Sequence, residues 1–361
     1  MGTFLLRRVG VMLLTALCLT FIVFFMTTLY PNLEKLAKTE GNFRMSDEAV
    51  ASWLDKNGYL EPLWKGYGQW LGVLPGHTYT DEDGTVTGAC IRPGMTPEEA
   101  PTYCGVLQGD WGQSITLKDD AGTLIATRLG LTGWLALCAF AVMIPAALII
   151  GILAGMREGS RMDRSLSTFS IASSATPEYV SGVIFIAVFA ASASPLNAWL
   201  SEMNLIDGRT LFKGSATSAM KDITWANFTL PVATIALYGV GYIARMTRAS
   251  MAEVMTAQYI RTARLKGVSF RAVVLKHALR NALIAPFTVI MLQFPYLLTG
   301  VVITETLFNY KGFGWLLVHA ASTNDIQLLL GCSVVAVFVV LVTQLISDIG
   351  YVFLNPRIRI A

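Results

Sequence analysis

The sequence predicts an all-α polytopic membrane protein with six transmembrane helices. Both the N- and C-termini are expected in the cytoplasm, with a small α+β or irregular external domain between helices 1 and 2. Three observations predict this. The 361 residues are 54% hydrophobic and only 14% charged, with a mean hydropathy of +0.55, whereas a soluble domain is about a quarter charged. Several runs long enough to span a bilayer carry no charge. Lys and Arg gather in the alternate short connections that six spans would place on one side.

The first charge-free run is Val9–Leu29, behind Arg7 and Arg8. It is longer than a signal-peptide core, and no small-residue cleavage site follows it, so it reads as a retained first span over residues 1–30. Leu129–Met156, Asn281–Thr304 and Ile326–Ser347 are the other clear runs; each can cross about 30 Å of hydrocarbon at about 1.5 Å per residue. Ser165–Leu200 carries only Glu178, and Phe228–Ala244 is short but has apolar flanks. Six spans put the N-terminus, 157–164, 245–280 and the C-terminus on one side, with 2, 3, 8 and 2 Lys/Arg. The short outer connections 193–227 and 305–325 hold 3 and 1, and this asymmetry assigns the basic side to the cytoplasm.

Residues 31–123 exceed a connector and are expected to form an external, periplasmic cap. They hold 14 of the 24 acidic residues, together with Trp53, Trp64, Trp70 and Trp111. "SDEAVASWLDKNG" reads as a helix capped by Ser46 and stopped by Gly58. Cys90 and Cys104 form an even pair on the oxidising side and are expected to be a disulfide. Cys18, Cys138 and Cys332 fall in spans, where a thiol behaves as a small apolar group. The remainder, 124–361, is expected to be a five-span core. Its outer segment 305–325 reads as a re-entrant turn followed by a helix lying at the interface.

The chain lacks the machinery of an enzyme. It contains no G-x-x-x-x-G-K-[ST] and no H-E-x-x-H, and His77, His277 and His319 are scattered. No metal site and no nucleotide or other cofactor is therefore expected on it, and its basicity is topological rather than a sign of nucleic acid. That pattern favours transport. A passive channel or ion-coupled carrier is the alternative of a different class, although such proteins usually carry several intramembrane charges.

The most unusual stretch is 253–286, with six Lys/Arg against one acid between two apolar segments. Gln258–Lys266 is helical in character, Gly267 suits a left-handed helix stop, and Ser269 can cap a second helix. That second helix is expected to place Phe270, Val273, Val274, His277 and Ala278 on one face. A basic loop lying on anionic lipid is the simpler reading. Glu178 lies near mid-span beside Pro177, where an ionisable group must face the bundle or a wet cavity. With Tyr179, Gln293 and Tyr296 it is a candidate for the translocation path; the competing reading is a structural acid that stabilises the kink. Pro145, Pro286 and Pro295 are expected to kink their spans.

"YIRTARLKG…HALRNALIAP" resembles the cytoplasmic signature of the permease subunits of binding-protein-dependent ABC importers, in the form typical of the dipeptide/oligopeptide branch. Arg261, Thr262 and Ala263 stand at the E-A-A positions, and Gly267 at the glycine. "FLLRRV", "GDWGQS" (Gly109–Ser114), "GILAGMREGSRMDR", "TETLFNYKGFGWLLVHA" and "ISDIGYVFLNPRIRI" resemble further motifs of that branch in the same order. Residues 31–108 look longer than usual for it. The resemblance implies a transmembrane permease that pairs with a homologous second permease in the bacterial inner membrane. Two ATPase subunits would bind the ATP and Mg, and an external solute-binding protein would deliver peptides; relatives of the branch carry oligosaccharides or nickel. It further implies that 253–281 holds coupling helices docked in the ATPase. Arg261, Thr262, Ala263, Arg264, Lys266, Gly267, Ser269 and His277 are then the coupling residues.

Overall fold

The computed structural model describes residues 2–81, 83–91, 95–206, 210–299 and 301–354. The C-terminal "NPRIRI" motif and part of the Cys90–Cys104 loop lie outside the described residues. The fold is helical, with one two-stranded ribbon among the described residues. Five segments are long and apolar enough to cross a membrane: Leu6–Thr27, Ala121–Gly155, Glu178–Glu202, Trp225–Met255 and Ile326–Gly350. A sixth arises when Phe270–Ala282 and Ile284–Tyr296, bent by 50°, count as one span. The protein is thus an all-α polytopic membrane protein. Its chain divides into two compact units, Gly2–Leu129 with Leu316–Leu341, and Gly130–Trp315 with Val342–Ala361.

The first unit begins with α1 (Gly2–Thr27), followed by α2 (Tyr30–Glu40), α3 (Asp47–Lys56) and α4 (Leu63–Leu71). Leu33, Leu36 and Ala37 recur at helical spacing on α2 and bury against Val50 and Leu54 of α3, Phe24, Ile326 and Leu330. The α3 boundaries follow the sequence. The Ala49 N–H donates to Ser46 Oγ at 3.3 Å, and Gly58 adopts φ +75° just past the helix end. Strands β1 (Thr78–Thr80) and β2 (Val86–Gly88) pair antiparallel, with Tyr79 opposite Thr87. The Cys90 and Cys104 sulfurs are bonded, with Cα atoms 5.6 Å apart. Lys65 Nζ forms an ion pair with Glu61 Oε2 at 2.5 Å, and Glu61 Oε1 accepts from His77 Nδ1 at 3.0 Å. Burial opposes ionisation of Glu61, but Lys65 and His77 together outweigh it and hold the carboxyl below its ordinary range.

The Gly109–Ser114 motif has a structural explanation in this unit. The Ser114 hydroxyl donates to Asp325 Oδ2 at 2.6 Å, and the Thr116 N–H and hydroxyl donate to the same oxygen at 3.2 and 3.0 Å. Asp325 Oδ1 accepts the Leu328 N–H at 3.3 Å and so caps the helix Ile326–Leu354. The motif is a brace on a helix start.

In the second unit, α5 (Ala121–Gly155), α6 (Arg161–Ala175) and α7 (Glu178–Phe185) precede α8 (Pro195–Glu202) and α9 (Trp225–Met255). Helix α9 is the hub, packed on α6, α7 and Ile284–Thr299. Small residues permit the approach. A β-carbon on Gly155 would come within 2.6 Å of the Arg248 carbonyl, and one on Gly241 within 2.7 Å of the Ser174 nitrogen. Leu135, Ala139 and Met143 meet Ile235, Ala236, Val240 and Ile243 in the core.

Two span expectations need correction. The Ser165–Leu200 segment is not one helix: α6 stops at Ala175, Pro177 is extended, and α7 continues through a π-helical turn, Ile186–Ala190, to an extended Ala191. Pro177 cannot donate to the helical ladder, which explains the first break. The Phe228–Ala244 run underestimates α9, which continues past Arg245 and Arg248 because Arg248 finds a carboxylate in Asp163 (2.6 and 2.8 Å). The turn within 305–325 packs inward, with Phe308, Tyr310 and Phe313 among the most buried large side chains. Under that turn the Thr132 hydroxyl donates to Glu305, the Phe313 N–H donates to Thr132 Oγ1 at 2.8 Å and the Trp315 N–H to Glu305 Oε2 at 2.8 Å. Gly314 is obligatory there, because a β-carbon would lie 2.8 Å from Val302 Cγ2.

Candidate functional site

The basic stretch forms two short helices joined at a glycine. Helix α10 (Gln258–Leu265) buries Ile260 and Ala263 and exposes Arg261, Thr262, Arg264, Leu265 and Lys266. Its end is closed by paired bonds: the Val268 N–H reaches the Ala263 carbonyl at 3.2 Å, and the Gly267 N–H reaches that of Arg264 at 3.0 Å. This is a Schellman closure, with Gly267 at φ +76°. A β-carbon on Gly267 would meet nothing within 4 Å, so within this chain glycine is needed for its dihedral and not for space.

The second helix, Phe270–Ala282, departs from the expected face. Residues Val273–Ala278 are π-helical, so five residues separate Val273 from Ala278 along one buried line, with Val274 beside them. The widened turn carries His277 to the exposed side, and Phe270 is 38% exposed. Ser269 occupies the N-cap position, but its hydroxyl makes no capping bond. Phe270 instead receives the guanidinium groups of Arg157 and Arg264 over its ring, at 5.5 and 5.9 Å. Asn281 Nδ2 donates to the Tyr259 hydroxyl at 2.9 Å, tying the two helices together, and the Ser250 hydroxyl donates to the Ala282 carbonyl at 2.9 Å. These residues were not among the sequence candidates, although Tyr259 and Asn281 both lie within the quoted signature.

The path candidates separate. Glu178 is the first residue of α7 and only 6% exposed. The Tyr296 hydroxyl donates to its Oε2 at 2.6 Å, and the Thr304 hydroxyl donates to Oε1. Tyr238 lies against Tyr296, with ring centroids 6.0 Å apart. Tyr179, one position along, is 55% exposed because a step of about 100° turns it off the Glu178 face. Gln293 is buried one turn before Tyr296. Thr304 carried no sequence signal, since a lone threonine beside an apolar run is unremarkable. Glu178 is therefore a satisfied buried carboxylate, with both oxygens accepting hydroxyl hydrogen bonds.

Comparison with known proteins covers both sites. Residues 147–360, which hold both helices of the basic stretch and all four path candidates, match the family described as binding-protein-dependent transport system inner membrane component. The chain is 31% identical over 372 residues to the di/tripeptide transport system permease protein of Pseudomonas aeruginosa, covering 99% of each. It is 26% identical over 368 residues to the dipeptide transport system permease protein of Escherichia coli, covering 99% of this chain and 98% of the relative. A probable peptide ABC transporter permease protein of Sinorhizobium fredii is 33% identical over 254 residues, covering 70% of this chain and 77% of the relative. A solved amino acid ABC transporter chain aligns with a TM-score of 0.46 and 13% identity, over 63% of this chain and 93% of that one. The two full-length alignments run through the segment 31–108. With the family match spanning more than half of the chain and a relative aligned end to end, the chain belongs to the binding-protein-dependent transport system inner membrane component family.

Proposed function

We propose that this membrane component is the permease subunit of an ABC importer for di- or oligopeptides in the bacterial inner membrane, with both termini cytoplasmic. The observation that carries the reading is the two-helix knob 258–282, whose exposed face presents Arg261, Arg264, Leu265 and Lys266. Such a knob suits a cleft in a separate ATPase, where the cations pair with acids and Leu265 fills an apolar notch. Its rigid closure passes motion to α9 on one side and to Ile284–Thr299 on the other. The peptide class rests on the names of the relatives. ATP and Mg belong to two ATPase partners, a homologous second permease completes the path, and an external solute-binding protein delivers the cargo. This chain then catalyses nothing itself. Alternating access moves the peptide past the bundle, with Glu178, Gln293 and Tyr296 along the route.

The test is uptake into proteoliposomes carrying the assembled importer, with labelled dipeptide, oligosaccharide or nickel ion offered in turn. Peptide uptake that requires ATP, together with loss of substrate-stimulated ATPase in Arg264→Glu/Lys266→Glu, supports the reading. Uptake without ATP points to a passive carrier. ATP-driven uptake of sugar or nickel alone replaces the cargo while leaving the importer intact.

A further inference from the structure

Away from the knob and the path, α6 and α9 enclose a small pocket of about 220 Å³ lined by Asp163, Arg164, Ser167, Ile171, Arg245 and Arg248. Three guanidinium groups and one carboxylate meet there. The carboxylate is already committed: Arg248 grips both Asp163 oxygens, at 2.6 and 2.8 Å, while the Gly159 N–H and Ser167 hydroxyl add bonds at 2.8 and 3.0 Å. The hydrogen bonds from Arg248 hold the Asp163 carboxyl well below the usual range. Glu158, the other nearby acid, also faces Arg248, at 3.6 Å.

Arg164 and Arg245 are left without a carboxylate within ion-pair distance among the described residues. Arg245 makes only a 3.5 Å contact with the Ser174 hydroxyl. Two uncompensated guanidinium groups at the mouth of a pocket form a site for a phosphate, which accepts their paired N–H groups bidentately. The surroundings distinguish the source of that phosphate. Ile171 lies two turns below Arg164 on the same helix face and is 54% exposed, and Tyr242, one turn from Arg245, is 49% exposed. Met246, one turn beyond Tyr242, is exposed as well. A free phosphate has no use for that apolar apron, whereas acyl chains do.

We propose that the pocket between α6 and α9 binds an anionic phospholipid of the cytoplasmic leaflet, its phosphate held by Arg164 and Arg245 and its chains laid along Ile171 and Tyr242. The inference rests on the membrane orientation proposed above, but its test reads lipid binding and needs no transport. Basic pockets between spanning helices on the cytoplasmic side recognise lipid headgroups by this combination of charge and apolar contact.

The experiment is native mass spectrometry of the detergent-purified importer, titrated with phosphatidylglycerol, with phosphatidylcholine or with inorganic phosphate. The expected result is a saturable phosphatidylglycerol adduct that phosphatidylcholine does not form and inorganic phosphate does not displace. Arg164→Ala/Arg245→Ala weakens it by roughly 30-fold, from about 1 kcal/mol for each cation. Arg164→Lys/Arg245→Lys keeps the charge but loses the bidentate donors, so it binds between wild type and the alanine variant, which separates lost recognition from misfolding. Arg248 is left intact because it holds Asp163. Equal adducts with the two lipids, or an adduct unchanged in the alanine variant, overturns the proposal. Displacement by inorganic phosphate overturns the lipid assignment, since the site would then be one for the free anion.

Discussion

Substitution of Gly267 tests whether the knob works through its shape. The residue sits at φ +76°, beyond the last turn of α10, and the position a β-carbon would occupy opens on empty space within the chain. A side chain there meets no clash, so the cost is the left-handed backbone alone. That cost is about 1–2 kcal/mol for an ordinary L-residue, less for Asn, which visits this region routinely, and greatest for a β-branched residue. A loss of 1–2 kcal/mol shifts a local equilibrium by about 5- to 30-fold, enough to open the Val268–Ala263 closure in much of the population. The series is Gly267→Asn, Gly267→Ala and Gly267→Val in the assembled importer. Substrate-stimulated ATPase is the assay, with thermal unfolding as the control for the spans. Stimulation is expected to fall in the order Gly, Asn, Ala, Val, with the unfolding temperature almost unchanged. If Asn is as damaging as Val, the partner needs a bare backbone at 267 and the dihedral argument is wrong. If none of the three affects stimulation, the turn does not transmit work.

Further predictions concern the remaining devices. Ser46→Ala removes a formed cap and costs about 1 kcal/mol of α3 protection, whereas Ser269→Ala, which loses no bond, changes stability by under about 0.5 kcal/mol; hydrogen exchange of the two helices distinguishes them. Asp163→Asn leaves the half-buried Arg248 with only Glu158 as a counter-ion, at 3.6 Å, and costs about 1.5–3 kcal/mol, read as a fall in thermal stability. Because the Asp163 pKa is lower folded than unfolded, this stabilisation is complete above about pH 5 and is lost as pH falls below about 4, so the gap between wild type and variant closes in acid. Without reductant, thiol blocking of the unfolded chain leaves Cys90 and Cys104 unlabelled, and reduction lowers the stability of their loop by about 3 kcal/mol, the value for a span of about 15 residues. Replacing 78–104 with a Gly/Ser linker in the acidic segment 31–123, which carries 14 acids against 7 bases, is expected to abolish salt-sensitive stimulation by the solute-binding protein while basal ATPase persists.

The sequence conveyed some features directly and others not at all, for physical reasons. Charge-free runs located the spans because hydrocarbon excludes charge whatever the tertiary packing. They misplaced the end of α9 because Arg248 is neutralised by a residue 85 positions earlier, and composition along the chain cannot show a partner across it. The two-helix knob and its glycine were legible from local chemistry, as was the Ser46 cap. The buried face of the second helix was not, since a period of 3.6 residues was assumed where the chain inserts a π segment, Val273–Ala278. Glu178 was visible as an isolated acid in an apolar run. Thr304, 126 positions away, became part of its site only through folding.

Glu178, Glu305 and Asp163 are all almost fully buried in one unit, and each lies where a helix begins or breaks. Asp163 is in the first turn of α6, Glu178 opens α7 after Pro177, and Glu305 lies in Val302–Leu307 ahead of the buried turn. Each accepts hydrogen bonds from segments distant in sequence: Arg248 for the first, Tyr296 and Thr304 for the second, Thr132 for the third. Buried away from water, an unpaired carboxylate costs several kcal/mol, so each bond favours one register of the two segments it joins. The helix breaks are therefore pinned joints rather than loose ones. For Glu178 this sets a condition on transport. A substrate amine approaching this carboxylate would compete with the Tyr296 and Thr304 hydroxyls for its oxygens. In the arrangement seen here the glutamate holds the break together by tying the start of α7 to Tyr296 and Thr304.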